Sequence, residues 1–299
     1  MKLTLVFNIL SFLFLMSCNV INPSEGTPFF VEIPAIELCV QDSCYDQSQD
    51  RGSSAHNIVD AWVFADDNLL GAFELPARVP VLKSGNVKIS VQGGIKSNGI
   101  IGDAQQYDFF EPYSTLLNVS PGETFTVNPT ITYRTSLNIW NEDFDLQNAG
   151  IKFDKYGNSD TNMFVTRDTN EVFEGNGSGK VVLTDEGNNF FGVSSTKFNF
   201  PRGQVIYAEI NYKTNTPFGI GVLTTYNNET TSKQIALVLK STYDEILGKS
   251  VWKKVYVDIS VAVGLETQGY PQQLYLTMSK NNSSNAELLI DNVKIIYGK

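Results

Sequence analysis

From Phe29 to the end of the chain, short runs of Val, Ile, Thr, Phe and Tyr alternate with turn residues. Almost no segment carries the 3.6-residue period of an amphipathic helix, so the pattern predicts an all-β protein. Residues 58–65 read as a strand, Asp66-Asp67-Asn68 as a turn and residues 69–74 as the returning partner. Another strand covers 87–91 after the turn Ser84-Gly85-Asn86, and Ser120-Pro121-Gly122-Glu123 turns into 124–127. Later strands are expected over 205–212 and around 251–257. Trp62 and Phe64 alternate with smaller residues and are assigned to the core, as is Trp252, which stands ahead of Val255 and Val257.

The amino terminus follows a different rule. Lys2 precedes an apolar run over 3–16, broken by Asn8 and Ser11, and the run is shorter than the roughly 20 residues a spanning helix needs. It has the outline of a secretory signal peptide, 1–17. Residues 18–27 are polar, contain Pro23 and Gly26, and read as a tether. The chain as a whole, with 42% hydrophobic and 12% aromatic residues, is rich enough to build cores, which excludes a disordered chain. A fresh pattern setting in near residues 134–140 divides the remainder into a domain over 28–136 and a second over 137–299.

A formal charge of −10 argues against nucleic acid and anionic lipid surfaces as partners, because both would repel the chain. In an oxidising compartment Cys39 and Cys44, close together in a polar segment, are expected to form a local disulfide that stiffens its own loop. The only histidine, His56, leaves a zinc site without ligands and a Ser-His-Asp triad without a nucleophile elbow. The run Gly175 to Lys180 lacks the spacing of a phosphate-binding loop and reads as a turn between strands. A pair of glycosidase carboxylates is compatible with this composition, but no sequence signature points to one, so binding without catalysis is expected.

Leu15-Met16-Ser17-Cys18 resembles the lipobox of bacterial lipoproteins. That resemblance implies cleavage before Cys18 and lipid on its sulfur, hence a membrane partner in the bacterial envelope. Asn19 at the next position is similar to the pattern of outer-membrane rather than inner-membrane proteins, with periplasmic and surface faces both open. Asp60 to Asp67, with Leu70-Gly71, Leu75-Pro76 and Val79-Pro80-Val81-Leu82, resembles the PEGA-type repeats of bacterial surface proteins, over roughly 58–95. An immunoglobulin-like or PEGA-like β-sandwich acting as a spacer is what this implies.

Trp140-Asn141-Glu142-Asp143-Phe144-Asp145, the Gly-Ser turn before 179–183, Trp252 ahead of a strand and the closing Ile290-Asp291-Asn292-Val293 together resemble the galactose-binding-like jelly roll of many carbohydrate-binding modules. Glu142 stands where that family has glycine, Asp145 where it has glutamate, and Gly179 interrupts the strand entry. The resemblance implies a structural Ca2+ held by Asp143, Asp145 and Asp291; the plainer reading is that these carboxylates accept backbone amides. It also implies a glycan or glycoconjugate ligand. Aromatic faces for sugar rings would come from Tyr212, Phe218, Tyr226, Tyr243 and Tyr270, with Asn227, Asn228 and Gln268 nearby to meet hydroxyls. A structural subunit of an outer-membrane complex, binding an envelope protein, is the competing expectation. A rim of exposed aromatics beside polar groups would favour the first, and a flat apolar patch the second.

Overall fold

A computed structural model describes residues 26–46, 48–146, 150–266, 269–280 and 285–299. The lipobox, Cys18 and Gln268 lie outside the described residues.

The chain is all-β. Its first half contains β1 (Phe29–Ile33), β2 (Glu37–Cys39), β3 (Asp60–Ala65), β4 (Asn68–Glu74), β5 (Ala77–Val81) and β6 (Gly85–Lys96). These are followed by β7 (Ala104–Gln106), β8 (Phe110–Glu111), β9 (Tyr113–Val119), β10 (Thr124–Thr126) and β11 (Thr130–Tyr133). One layer is the sheet β4-β3-β6-β7, with β9 also paired to β6. The other is two short sheets, β10-β1-β5 and β2-β11-β8. Val31, Val63, Ile89, Phe110 and Ile131 share the core between them. Asp66 and Asp67, both at positive φ, make the tight turn joining β3 to β4, whose twist suits paired antiparallel strands. Cys39 and Cys44 are joined in a disulfide.

Within β3 the assignment of Trp62 and Phe64 to the core is overturned. Ala61, Val63 and Ala65 are the buried residues, and the two aromatics lie half-buried on the outer face. The neighbouring strand supplies the reason, since a Cβ on Gly94 would fall 3.1 Å from the Trp62 indole nitrogen. A glycine there gives the large ring a seat outside the sheet, while the interior at this point has room only for small side chains.

The second half begins with β12 (Leu137–Glu142), β13 (Phe153–Lys155), β14 (Phe164–Thr166), β15 (Ser178–Leu183), β16 (Asn189–Ser194) and β17 (Ile206–Thr214). It continues with β18 (Phe218–Thr225), β19 (Thr231–Leu239), β20 (Tyr243–Asp244), β21 (Lys249–Ser250), β22 (Lys253–Asp258), the short helix α1 (Ser260–Gly264), β23 (Gln272–Ser279) and β24 (Ala286–Gly298). Two antiparallel sheets form a β-sandwich of jelly-roll type. The first runs β14-β15-β24-β17-β22 with β12 also on β24, and the second runs β13-β16-β23-β18-β19. Val181, Ile210, Val257 and Ile290 of the first meet Phe190, Phe218, Ile220 and Leu276 of the second in one core.

The last strand organises the first sheet. β24 is paired on one side with β15 through residues 286–290 and with β12 through residues 293–298, and on the other side with β17. A register shift opposite Glu209 and Asn211, with Asn292 at φ 48, lets the strand change partners while staying continuous.

The outer face of that sheet is not left to solvent. Tyr207, Tyr256 and Ile296 belong to the core of the first half, beside Tyr107, Phe109 and Tyr133. Polar groups at this contact are satisfied across it. Glu209 accepts from Tyr107 Oη at 2.9 Å and Tyr133 Oη at 3.0 Å, and Lys254 Nζ lies 3.3 Å from its Oε2. Lys294 donates to the Ser53 carbonyl at 2.6 Å and to Tyr133 Oη at 3.3 Å. The two halves therefore share one buried polar network, in which each charge has partners of opposite polarity.

Candidate functional site

Where the first half stops covering the sheet, a cleft of about 730 Å³ opens. Its floor comes from β17 and β22, the two strands that carry Tyr207, Glu209 and Asn211 opposite Asp258, Tyr256 and Lys254 in register. The first two pairs are covered by Tyr107, Tyr133 and the 97–98 segment, through contacts such as Asn98 N to the Tyr256 carbonyl at 2.8 Å. The third pair, Asn211 and Lys254, lines the cleft. One wall is the end of β19, residues 237–240; the facing wall is His56, Asn57 and the 98–101 loop.

Two polar atoms on the floor lack hydrogen-bond partners. Asn211 is 2% exposed, yet its Oδ1 accepts nothing. The Lys254 side chain is 3% exposed and forms an ion pair with Glu209, but its Nζ makes no hydrogen bond. A buried polar atom without a partner costs roughly 1–3 kcal/mol; the ion pair offsets this for Lys254, whereas Asn211 Oδ1 at the base of the cleft has no such compensation. Burial holds the Lys254 amine below its ordinary range, against the pull of Glu209.

An aromatic pair forms the rim. Trp252 and Phe173 lie with ring centroids 5.3 Å apart, and both line the cleft. Phe173 is held by its backbone amide donating to Ser178 Oγ at 3.1 Å. The assignment of Trp252 to the core is thereby corrected: it immediately precedes β22 and is half-buried, because the strand starts one residue later and the ring turns toward the cleft instead of the sandwich interior. His56 accepts from the Ile58 amide through Nδ1, which leaves Nε2 as the protonated nitrogen of the neutral ring. Burial lowers its pKa.

The aromatics predicted from sequence are scattered. Tyr212 and Phe218 are core residues, 7% and 1% exposed, packed edge to face at 5.4 Å, because their phase on β17 and β18 points them between the sheets. Tyr212 also borders the cleft, but both rings pack in the core and present no open face there. Tyr226 and Tyr270 form their own pair at 4.9 Å, with Tyr226 Oη donating to Glu266, at a distance from the cleft lining. Tyr243 sits exposed on the β20–β21 hairpin. Asn227 and Asn228 occupy the turn after β18, where Asn228 Oδ1 accepts from Thr230 Oγ1 at 2.6 Å. Phe173 and Asn211 were missed, since neither stands in a motif: Asn211 reaches the cleft through the pairing of β17 with β22, and Phe173 from the loop between β14 and β15.

The three carboxylates expected to hold Ca2+ do not assemble as a donor set. Among the described residues there is no group of three or more His, Cys, Asp or Glu side chains placed for a metal. Asp143 accepts the Asp145 amide at 3.1 Å, and Asp145 accepts the amides of Asn176 and Gly177. Asp291 accepts Ser178 Oγ at 2.6 Å and the Asn292 amide at 2.7 Å. Burial raises the Asp291 carboxyl to about 7 despite these donors. As placed, these carboxylates accept backbone amides and, at Asp291, a serine hydroxyl. The 175–180 run is a turn entering β15, with Lys180 paired to Glu171 and Glu287.

No family model matches the chain, and no curated protein does. Among solved structures, a family 29 carbohydrate-binding module complexed with mannohexaose is 7% identical, covering 54% of this chain and 93% of the other at a TM-score of 0.34. The family 11 carbohydrate-binding module of a cellulosomal cellulase of Clostridium thermocellum is 11% identical, covering 54% and 96% at 0.35. A carbohydrate-binding module described as promiscuous in specificity covers 82% of this chain and 86% of the other, at 8% identity and 0.34. The β-sandwich assignment rests on the sheet topology described above.

Proposed function

We propose that this chain is a lipid-anchored envelope protein that binds a saccharide in the cleft between its two halves. The observation that carries the binding reading is the combination at one place of an aromatic rim, Trp252 and Phe173, with a floor bearing an unpaired acceptor, Asn211 Oδ1. A sugar ring has an apolar face and a fringe of hydroxyls, so it is the ligand class that needs both at this spacing. The cleft volume lies within the 300–1,000 Å³ common for small-ligand sites. The neighbouring carbohydrate-binding modules agree with this reading but do not bear its weight.

The anchor is carried by Leu15-Met16-Ser17-Cys18. Mass spectrometry of the mature polypeptide should find an acylated Cys18 as the first residue; an unmodified Cys18 or a retained Met1 would refute it. For the ligand, the full chain in mild detergent is screened against immobilised glycans, and the glycans it retains are titrated calorimetrically. Trp252→Ala should weaken binding at least tenfold, equivalent to about 1.4 kcal/mol, while the melting temperature stays within a few degrees. Undiminished affinity in that variant would place the ligand elsewhere on the molecule.

A further inference from the structure

The charges around the cleft are distributed against the trend of the chain. The protein carries −10 overall, yet among the described residues no Asp or Glu lines the cleft, while Lys96, Lys240, Lys253, Lys254 and His56 do. Lys96 is neutralised by Asp60 at 2.8 Å. Lys240 and Lys253 are exposed and have no ion-pair partner among the described residues. Lys254 is likewise compensated by acids from behind, with Glu209 in contact and Glu174 and Asp291 further off. Lys294 offsets part of that negative charge from the far side of Glu209.

Range decides which charges a ligand feels. At physiological ionic strength the screening length is about 8 Å, so acids scattered over the rest of the surface are damped while lysines on the cleft wall act at contact distance. The floor narrows the chemistry further. Asn211 Oδ1 needs a hydrogen to accept, and a bare dianion such as sulfate would bring only another acceptor to it. A neutral sugar would give Asn211 a hydroxyl but leave the ammonium groups of Lys240 and Lys253 without a counterion. A sugar acid offers hydroxyl and anion on one ring or on adjacent rings.

Taking the saccharide reading as its premise, we infer that the cleft is selective for anionic saccharides, with a carboxylate or sulfate meeting Lys240 and Lys253 and a hydroxyl meeting Asn211 beneath the Trp252–Phe173 rim. The ammonium groups act as a charge-assisted clamp, in which hydrogen bonds to the anion are shorter and stronger than those to neutral hydroxyls. Asn211 fixes which edge of the ring faces down.

The test is calorimetric titration of the full chain in mild detergent with tetragalacturonate, a chondroitin sulfate tetrasaccharide, cellotetraose, mannotetraose and sodium sulfate. At least one of the two charged oligosaccharides should bind tenfold or more tighter than either neutral one, and its affinity should fall as salt is raised from 50 to 300 mM. The double variant Lys240→Glu/Lys253→Glu, altered only at exposed positions, should keep its melting temperature, lose at least tenfold in affinity for that ligand and lose most of the salt dependence. Neutral oligosaccharides binding as well as the charged ones would overturn the charge selectivity while leaving the saccharide reading standing. Inorganic sulfate binding as tightly as the sugar acids would reduce the cleft to a simple anion site and overturn both the role of Asn211 and the selectivity. Binding by none of the probes would sink the selectivity and the saccharide reading together.

Discussion

Glu209 sits at the point where the two halves of the chain make their most demanding contact. It is fully buried, accepts from two tyrosines and balances Lys254, and Lys294 reaches it through Tyr133. Glu209→Gln would leave two buried amines facing no carboxylate, and breaking a buried ion pair on one side costs about 3–5 kcal/mol. Urea unfolding should report a loss of that size; a change under 1 kcal/mol would mean the amines are already neutral in the folded protein. Two neighbours titrate with opposite sign. Asp291, raised from 3.8 to about 7, holds a proton in the folded state that the unfolded chain has released, so its contribution to stability falls as pH climbs through that window and is constant above it. Lys294, lowered from 10.5 to about 7, has shed a proton that the unfolded chain keeps, so stability rises as pH climbs above 7. Asp291→Asn should flatten the first limb, by about 1 kcal/mol per pH unit, in unfolding midpoints measured between pH 4.5 and 7. Nothing in the sequence around Glu209 sets it apart from any other acid in a strand. Its role depends on which domain lies over β17, and that is decided by residues more than seventy positions away.

Individual strands were legible because burial on one face imposes a two-residue rhythm that survives in the amino acids. The expected hairpin over 58–74 is β3 and β4, and the expected strands at 205–212 and 251–257 are β17 and β22. Phase was less secure than existence. In β3 the big side chains point outward, since Gly94 on the next strand clears space for Trp62 where a Cβ would not fit. A local reading sees Trp and Phe and sends them inward, whereas the cross-strand neighbour makes the decision. Another close approach gives a sharp test at this scale. In β18, a Cβ on Gly221 would lie 2.2 Å from the Gln234 carbonyl oxygen and 2.6 Å from the Tyr275 ring, beside a register shift in the pairing with β19. Backbone cannot give way as a flexible side chain can, so Gly221→Ala should cost about 1–3 kcal/mol in chemical denaturation. Gly102→Ala, with nothing within 4 Å of the new methyl, serves as the neutral control.

The whole molecule is two β-sandwich layers-in-series sharing a polar seam, and the cleft exists only because that seam ends before the floor strands do. Composition and rhythm were enough for the all-β class, and the closing Ile290-Asp291-Asn292-Val293 segment for the jelly-roll expectation. The candidate site was not legible in the same way. Of the aromatics chosen from sequence none lies on the rim, because loop position and exposure are properties of the assembled sheets. His56, Asn98 and Lys96 come from the first half, and Asn211, Lys253 and Lys254 from the second. A site assembled across that distance leaves no local motif to find.

The placement of β24 has a bearing on how such a chain matures. The final thirteen-residue strand is wedged between β17 on one flank and β15 with β12 on the other, so three earlier strands wait for it. Until β24 is in place, the second half has a gap along the middle of one layer and cannot close. Removing residues 286–299 should therefore yield a product that is rapidly digested by trypsin and lacks a cooperative melt, while a short extension after Lys299 should be harmless. Closure of this half depends on a strand that follows all three of its partners in the chain.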